Sequence, residues 1–471
     1  MENTEFRRSR HTQRKPLPAR IAPKKKEKSK VSLLSNVHKI YFLLALVLGL
    51  MLALFMPLFS EPDGQVHFTS AASIVGIYPD MTQYGEKPTT GGLVQQQPTY
   101  QNGSHFENYY LMKTQLLRQP ANGRPSVLSW GFWGELVPAV GIWIGYHIYP
   151  SLGVMATFGR LLSLFLCTVA SYFIVRSLKR GKLFFSALLL TPVVLNQFAS
   201  LSYDAPSFVL VAAVIALSIN TLEEGVISRK RLLQMVGLSI VVWFAAKTNF
   251  VLILLLFPLV LLAIASKKWR LTKGGKIIIA ASAAVIFLVG FSIYTLPAGG
   301  PIDFLSRLFV TFVNNPASWQ ENQTPTTFIS TFVAPYPRFN FMPVWLIAVW
   351  AVLLAASYWT DPIVIESRLV SFGAIGIFIL NLFAIYYAFV GYKTSFVNGT
   401  GGQEYILGVQ GRYTTPFYLL AALLPFRKDA QANENGQKKV LLALVIIATA
   451  SSLLLLYNTL YGIIYLNTYP Y

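Results

Sequence analysis

The 471-residue sequence holds one cysteine, Cys167, set inside an apolar run. A single cysteine excludes a disulfide framework and the zinc sites built from several cysteines. Charge is also scarce: 12% of residues are Asp, Glu, Lys or Arg, where a soluble domain spends about a quarter. Acidic residues are the scarcest, 19 against 39 basic, giving a formal net charge of +20. No internal repeat of helix pairs and no inverted symmetry of interrupted helices is visible, which weighs against a secondary transporter.

What is present is apolar. Hydrophobic residues make up 54% of the chain, with nine Trp, 24 Tyr and 33 Phe. Aromatic rings favour membrane interfaces, so lipid is the expected solvent for most of the chain. The basic charge is uneven. Twelve Lys and Arg, from Arg7 to Lys39, precede the first apolar run. Residues 1–39 therefore read as a disordered basic cytosolic tail, a topology signal that can also touch anionic lipid rather than a nucleic-acid arm. The tail is too long and too basic for an ordinary cleaved leader, so the first apolar run is expected to stay.

A helical span needs roughly 20 apolar residues. The first, 40–59, leaves the cytosol and is followed by a long outer loop, 60–150. Residues 130–149 hold Glu135, Pro138 and His147, and the basic cluster Lys179, Arg180 and Lys182 closes the next apolar run. If both 130–149 and 151–177 crossed, that cluster would lie outside, against the positive-inside rule. Residues 130–149 are therefore expected to lie at, or dip into, the outer face. Further spans follow at about 183–202, 205–222, 232–248, 250–266, 277–296, 342–359, 369–391, 413–426 and 440–460. Each turn then placed inside is basic. The expected fold is an all-α polytopic bundle over 151–460, about eleven spans in all. Its outer loops are 297–341 and 392–412, and an outer tail occupies 461–471.

Charged residues at the outer ends of these spans carry the candidate chemistry. Asp63 sits just past the first span, at headgroup depth, where a carboxylate meets a lipid-linked phosphate or takes a proton from a hydroxyl. His67 lies four residues on, on the same side of a helix; Asp63 reads equally as a helix N-cap. Asp204, before Ala205-Pro206, is a site acid or a cap. Lys247 is its candidate partner, or snorkels. Arg160 lies inside the second span, where a charge faces the protein interior by default; with Lys247 and Asp204 it can frame a phosphate site. Arg412, in Gln410-Gly411-Arg412-Tyr413, offers a bidentate fork to phosphate, or anchors a helix end with Tyr413. Lys393 enters the same loop from its other side. Asp80, His105, Glu107, Arg118, Arg124 and Glu135 read mostly as solvated loop charges.

The ordered set resembles the bacterial multi-pass family catalogued as domain of unknown function 2142. The carrying motifs are Pro62-Asp63-Gly64-Gln65-Val66-His67-Phe68, Ser202-Tyr203-Asp204, Lys247-Thr248 and Gln410-Gly411-Arg412-Tyr413. Gly64 stands where that family usually has a second acid, which leaves a metal site in doubt. The family is similar to the GT-C glycosyltransferases, polytopic enzymes whose long first outer loop bears a key acid.

The resemblance implies a GT-C-like glycosyltransferase of the bacterial plasma membrane. A polyprenyl-phosphate-linked sugar would be the donor, and a cell-wall or capsular glycan or another lipid-linked sugar the acceptor. Asp63 would be the base, with His67 orienting it or contacting the acceptor. Arg412, then Lys247 and Arg160, would hold the donor phosphate, and Asp204, Gln410, Tyr413 and Lys393 would bind substrate. No cofactor is called for, a divalent cation is left open, and no nucleic acid is expected. The rivals are a lipid-linked glycan flippase, which needs a polar path across the bilayer, and a glycan polymerase or ligase, which needs outer-loop arginines but no Asp63.

Overall fold

A computed structural model describes residues 36–84, 93–120, 123–266, 285, 288–313, 331–334, 342–361, 367–390, 394–396, 404–406, 408–424 and 434–465. The basic tail up to residue 35, the basic turn 267–276, Lys393, and Arg427 with Lys428 lie outside them.

Among the described residues six helices are long and apolar enough to cross a membrane: Val37–Phe55, Leu152–Ser177, Asp204–Glu224, Thr248–Ser266, Arg368–Ala388 and Glu434–Tyr465. Leu288–Ala298 and Trp345–Thr360 are shorter apolar helices. Among the described residues one strand pair, Thr394–Phe396 against Glu404–Ile406, is antiparallel, and the rest of the regular structure is helical.

Three expected spans take a different form. Residues 183–202 are not one helix but two short ones, α6 (Lys182–Leu189) and α7 (Pro192–Phe198). Pro192 lacks an amide hydrogen and so starts a helix more readily than it continues one. Both pieces are buried almost throughout. The N-terminus of α6 is capped from afar, by the Asp361 carboxylate accepting the Leu183 amide at 3.3 Å. Within 413–426, the described residues form a largely buried 3-10 segment, Thr415–Leu423, again opened by a proline. Residues 232–245 fall in the 17-residue helix α9 (Arg229–Ala245), which opens on three basic residues and is not among the six long apolar helices.

The frame around the site is a set of helix ends. α1 (Val37–Phe55) packs along α5 (Leu152–Ser177), with Gly49 lying against Leu164. α4 (Trp130–Ile148) doubles back on α5 through the short turn at Pro150. Gly141 and Gly145, a small-xxx-small pair, let the two backbones touch: a Cβ at Gly141 would sit 2.4 Å from the Phe158 carbonyl oxygen, and one at Gly145 2.8 Å from the Met155 Cα. Packing and small residues are what hold helices together where water supplies no drive. Near its start α4 leans on Tyr203, before α8 (Asp204–Glu224), and on the Ala245 carbonyl at the end of α9. α4 thus meets the bundle where spans end. Between α1 and α4 runs α2 (Gly64–Ile74), whose buried face joins a second apolar cluster that includes Phe68, Ala71, Ala72, Ile142, Met155 and Leu201.

Candidate functional site

After α1 the chain turns sharply. Phe59 (φ 61°) and Asp63 (φ 58°) are the only non-glycine residues with positive φ among those described. The left-handed region is tolerable for Asp but strained for Phe. Arg160 braces this turn. It is 2% exposed, pairs with Glu61 at 2.7 Å and donates to the Met56 and Pro57 carbonyls at 2.9 Å each. Gly64 completes the turn: a Cβ there would lie 2.7 Å from the Phe59 Cα and 3.0 Å from the Glu61 side chain. A second acid at position 64 therefore does not fit this turn without moving backbone.

Asp63 occupies the N-cap position of α2, yet its carboxylate makes no capping bond. It is 53% exposed and faces Arg412, Oδ2 to Nη2 3.6 Å. Arg412 is wholly buried and also touches Asp204, Nε to Oδ2 3.1 Å. Asp204 is reached from its other oxygen by Lys247, 3.6 Å away. Lys247 keeps 17% of its side chain exposed and lies 3.8 Å above the Tyr413 ring and 5.2 Å from that of Tyr203. The two rings hold the ammonium while leaving it reachable. Asp63, Asp204, Lys247, Arg412 and Tyr413, far apart in sequence, thus meet in one cluster.

Local folding delivers each member. The Asp204 amide donates to the Ser202 hydroxyl at 3.1 Å, opening α8. The Lys247 amide donates to Ser207 at 3.1 Å, which pins the α9 end to α8. Gly408 (φ 91°) turns the chain into the 3-10 turn Gly411–Tyr413. The Thr415 hydroxyl donates to the Thr331 carbonyl at 2.7 Å and to that of Gly411 at 3.2 Å, fixing that turn.

Burial works against the charge on Arg412, but Tyr413, Asp204 and Asp63 outweigh it and hold its pKa above the ordinary guanidinium value. Burial, then the Asp204 charge, push the Tyr203 phenol up, so it stays protonated. The charges of the cluster are close but poorly aligned. Arg412 Nε and Nη1 and both Asp204 oxygens are buried with no aligned hydrogen bond, and so is the Gln410 Oε1 just upstream. Such atoms are usually paired in a folded protein.

His67 sits beside the cluster, its ring edge-on to Tyr203 at 4.4 Å. Its Nδ1 is 3.0 Å from Glu135, and Nε2 is buried without a partner. Glu135 in turn accepts from Ser70. Glu135 is 2% exposed, which corrects its reading as a solvated loop charge; the available signal was an acid inside an otherwise apolar run. Glu61 was missed altogether, because nothing in its spacing pairs it with Arg160. Arg160 does not join Lys247 and Asp204: its donors go to Glu61 and the α1 terminus. Among the described residues no group of three or more His, Cys, Asp or Glu is placed to hold a metal ion.

Apolar spanning helices with a charged cluster gathered at their ends define a multi-pass membrane protein. Residues 136–421, more than half of the chain, match the family described as "Predicted membrane protein (DUF2142)", and the chain belongs to that family. The matched segment takes in Asp204, Lys247, Gln410, Arg412 and Tyr413, while Asp63 and His67 precede it. No curated protein and no solved structure matches the chain.

Proposed function

We propose that this protein is a membrane glycosyltransferase that moves a sugar from a polyprenyl-phosphate donor to a glycan or lipid-linked acceptor on the outer face of a bacterial plasma membrane. The observation that carries the reading is the pairing of an exposed carboxylate, Asp63, with a buried arginine, beside a half-sheltered lysine. A base and a cation side by side suit displacement at a carbon whose leaving group is a phosphate.

In this mechanism Asp63 takes the proton of the acceptor hydroxyl. The acceptor oxygen bonds to the anomeric carbon as the carbon–oxygen bond to phosphate breaks, with inversion. The polyprenyl phosphate leaves with the bonding electrons. Lys247, the more reachable cation, meets its developing charge. Arg412, engaged by two carboxylates, positions Asp63 and lends positive potential from below, a division of labour different from the one the residue types alone suggest. Gln410 and Tyr413 line the same turn. Arg160 acts through the turn it braces rather than on phosphate. Lys393 lies outside the described residues and is given no part.

The test compares surface glycan composition in cells carrying wild type, Asp63→Asn and a full deletion at matched protein levels. The expected result is that Asp63→Asn reproduces the deletion, losing one sugar substituent while the underlying polymer persists. Wild-type glycan in Asp63→Asn cells, or loss of the whole polymer, would reject the mechanism in favour of scaffolding or transport.

A further inference from the structure

Beside the charged cluster, on the adjoining face of α2, lies a cleft of about 350 Å³ lined by α2, by residues 78–82, and by Leu117, Pro120, Gly123, Arg124 and Pro125. Its volume is at the lower end of ligand pockets, roughly 300–1,000 Å³. The walls are tied down. The Leu117 amide donates to the Tyr78 carbonyl at 2.8 Å, and the Asp80 amide to that of Gln115 at 2.9 Å. Asp80 Oδ1 accepts from both the amide and the hydroxyl of Thr82, at 3.0 and 2.6 Å. Arg124 donates to the Ile74 carbonyl at 2.7 Å.

The lining mixes an aromatic ring and apolar side chains (Tyr78, Val66, prolines) with hydroxyls, one carboxylate and one guanidinium. Asp80 and Arg124 balance, so the cleft favours neither an anion nor a cation. Gln65 is 3% exposed, lines the cleft, and its Oε1 has no hydrogen bond. A buried amide oxygen without a partner costs free energy unless a ligand donor meets it. Ser70, also on the cleft wall, donates to Glu135, which holds His67 beside the charged cluster. One wall thus serves both sites.

We infer that this cleft binds a neutral saccharide, its apolar ring face against Tyr78 and Val66 and its hydroxyls toward Gln65, Asp80 and Arg124. Only its role as the acceptor subsite rests on the transferase reading; saccharide binding itself does not. The cleft is walled by the same helix whose N-cap position Asp63 holds.

The test uses the full chain in nanodiscs and saturation-transfer NMR with a panel of neutral hexoses, N-acetylhexosamines and their disaccharides. At least one panel member is expected to bind saturably. Thr69→Trp, which fills the cleft, abolishes the signal. Asp80→Asn, which keeps an acceptor for Thr82 and loses the charge, weakens binding by about tenfold or more. Glu224→Gln, at the far end of α8, leaves binding unchanged. No saturable binding by any member, wild-type binding in both cleft variants, or loss in Glu224→Gln would overturn the inference. Binding that survives while Asp63→Asn cells keep normal glycan leaves the cleft a saccharide site and rejects only the transferase.

Discussion

Two buried arginines stand a short way apart in this protein, and they are finished differently. Arg160 has a 2.7 Å carboxylate partner and two backbone carbonyls. Arg412 touches two carboxylates at 3.1 and 3.6 Å, yet Nε and Nη1 lack aligned acceptors. One carboxylate at Arg412 is half exposed, and Lys247 beside it keeps 17% of its side chain exposed. The Arg160 pair, with both Nη groups donating and only Nε unmatched, serves the turn it braces. Arg412, with Nε and Nη1 unaligned beside a half-exposed acid, is braced less completely. The first site builds the turn, and the second uses what the turn presents.

Substitutions at the two arginine sites should therefore separate stability from activity. Asp63→Asn is expected to lower transfer by about 10²–10⁴-fold, the usual worth of a general base. Its melting temperature should match wild type, because an exposed substitution shifts stability within about 0.5 kcal/mol; a matching loss of stability would mean that Asp63 belongs to the structural site. Arg160→Met should do the reverse. Removing one partner of a buried pair costs about 3–5 kcal/mol, read as a lowered melting temperature in detergent, and any lost activity should track the lost folded fraction.

Gly64→Ala should cost about 1–3 kcal/mol by overpacking against Phe59. Gly64→Glu, which restores the family's second acid, should be worse still. A stable Gly64→Glu protein with raised activity would show that the turn relaxes and that the missing acid matters. A further effect concerns pH. His105 stacks on Tyr100 at 3.8 Å, and burial lowers its pKa from 6.5 to about 4. The unfolded chain then binds the proton more readily, so the stabilisation is complete above about pH 6.5 and is lost as pH falls towards 4. His105→Gln should flatten the melting temperature across that window, and an unchanged slope would assign it to other groups.

Much of this site was legible because charges in apolar sequence need partners. Asp204 and Lys247 pair as their depths suggest, and Asp63 and Arg412 approach as the ordered motifs imply. Depth along a span fixes height but not direction around the bundle. That is why Arg160 is found on Glu61 rather than beside Lys247, and why His67 is held by Glu135. The same limit applies to spans. Hydropathy finds Val37–Phe55 and Asp204–Glu224, but in 183–202 and 413–426 apolar content hides the prolines that end helices. The strained turn at Phe59 and Asp63 leaves no sequence signature, since neither residue is glycine.

The most direct measurement compares binding of a photoreactive polyprenyl phosphate to wild type, Lys247→Met and Glu61→Gln protein in nanodiscs, scored on the folded fraction. Glu61→Gln keeps an acceptor for Arg160, so binding should equal wild type. Lys247→Met should weaken it by about tenfold, the scale of one charge-assisted contact. Equal binding by wild type and Lys247→Met, or a larger loss in Glu61→Gln, would contradict the assignment of the open cluster to phosphate and of the closed one to structure.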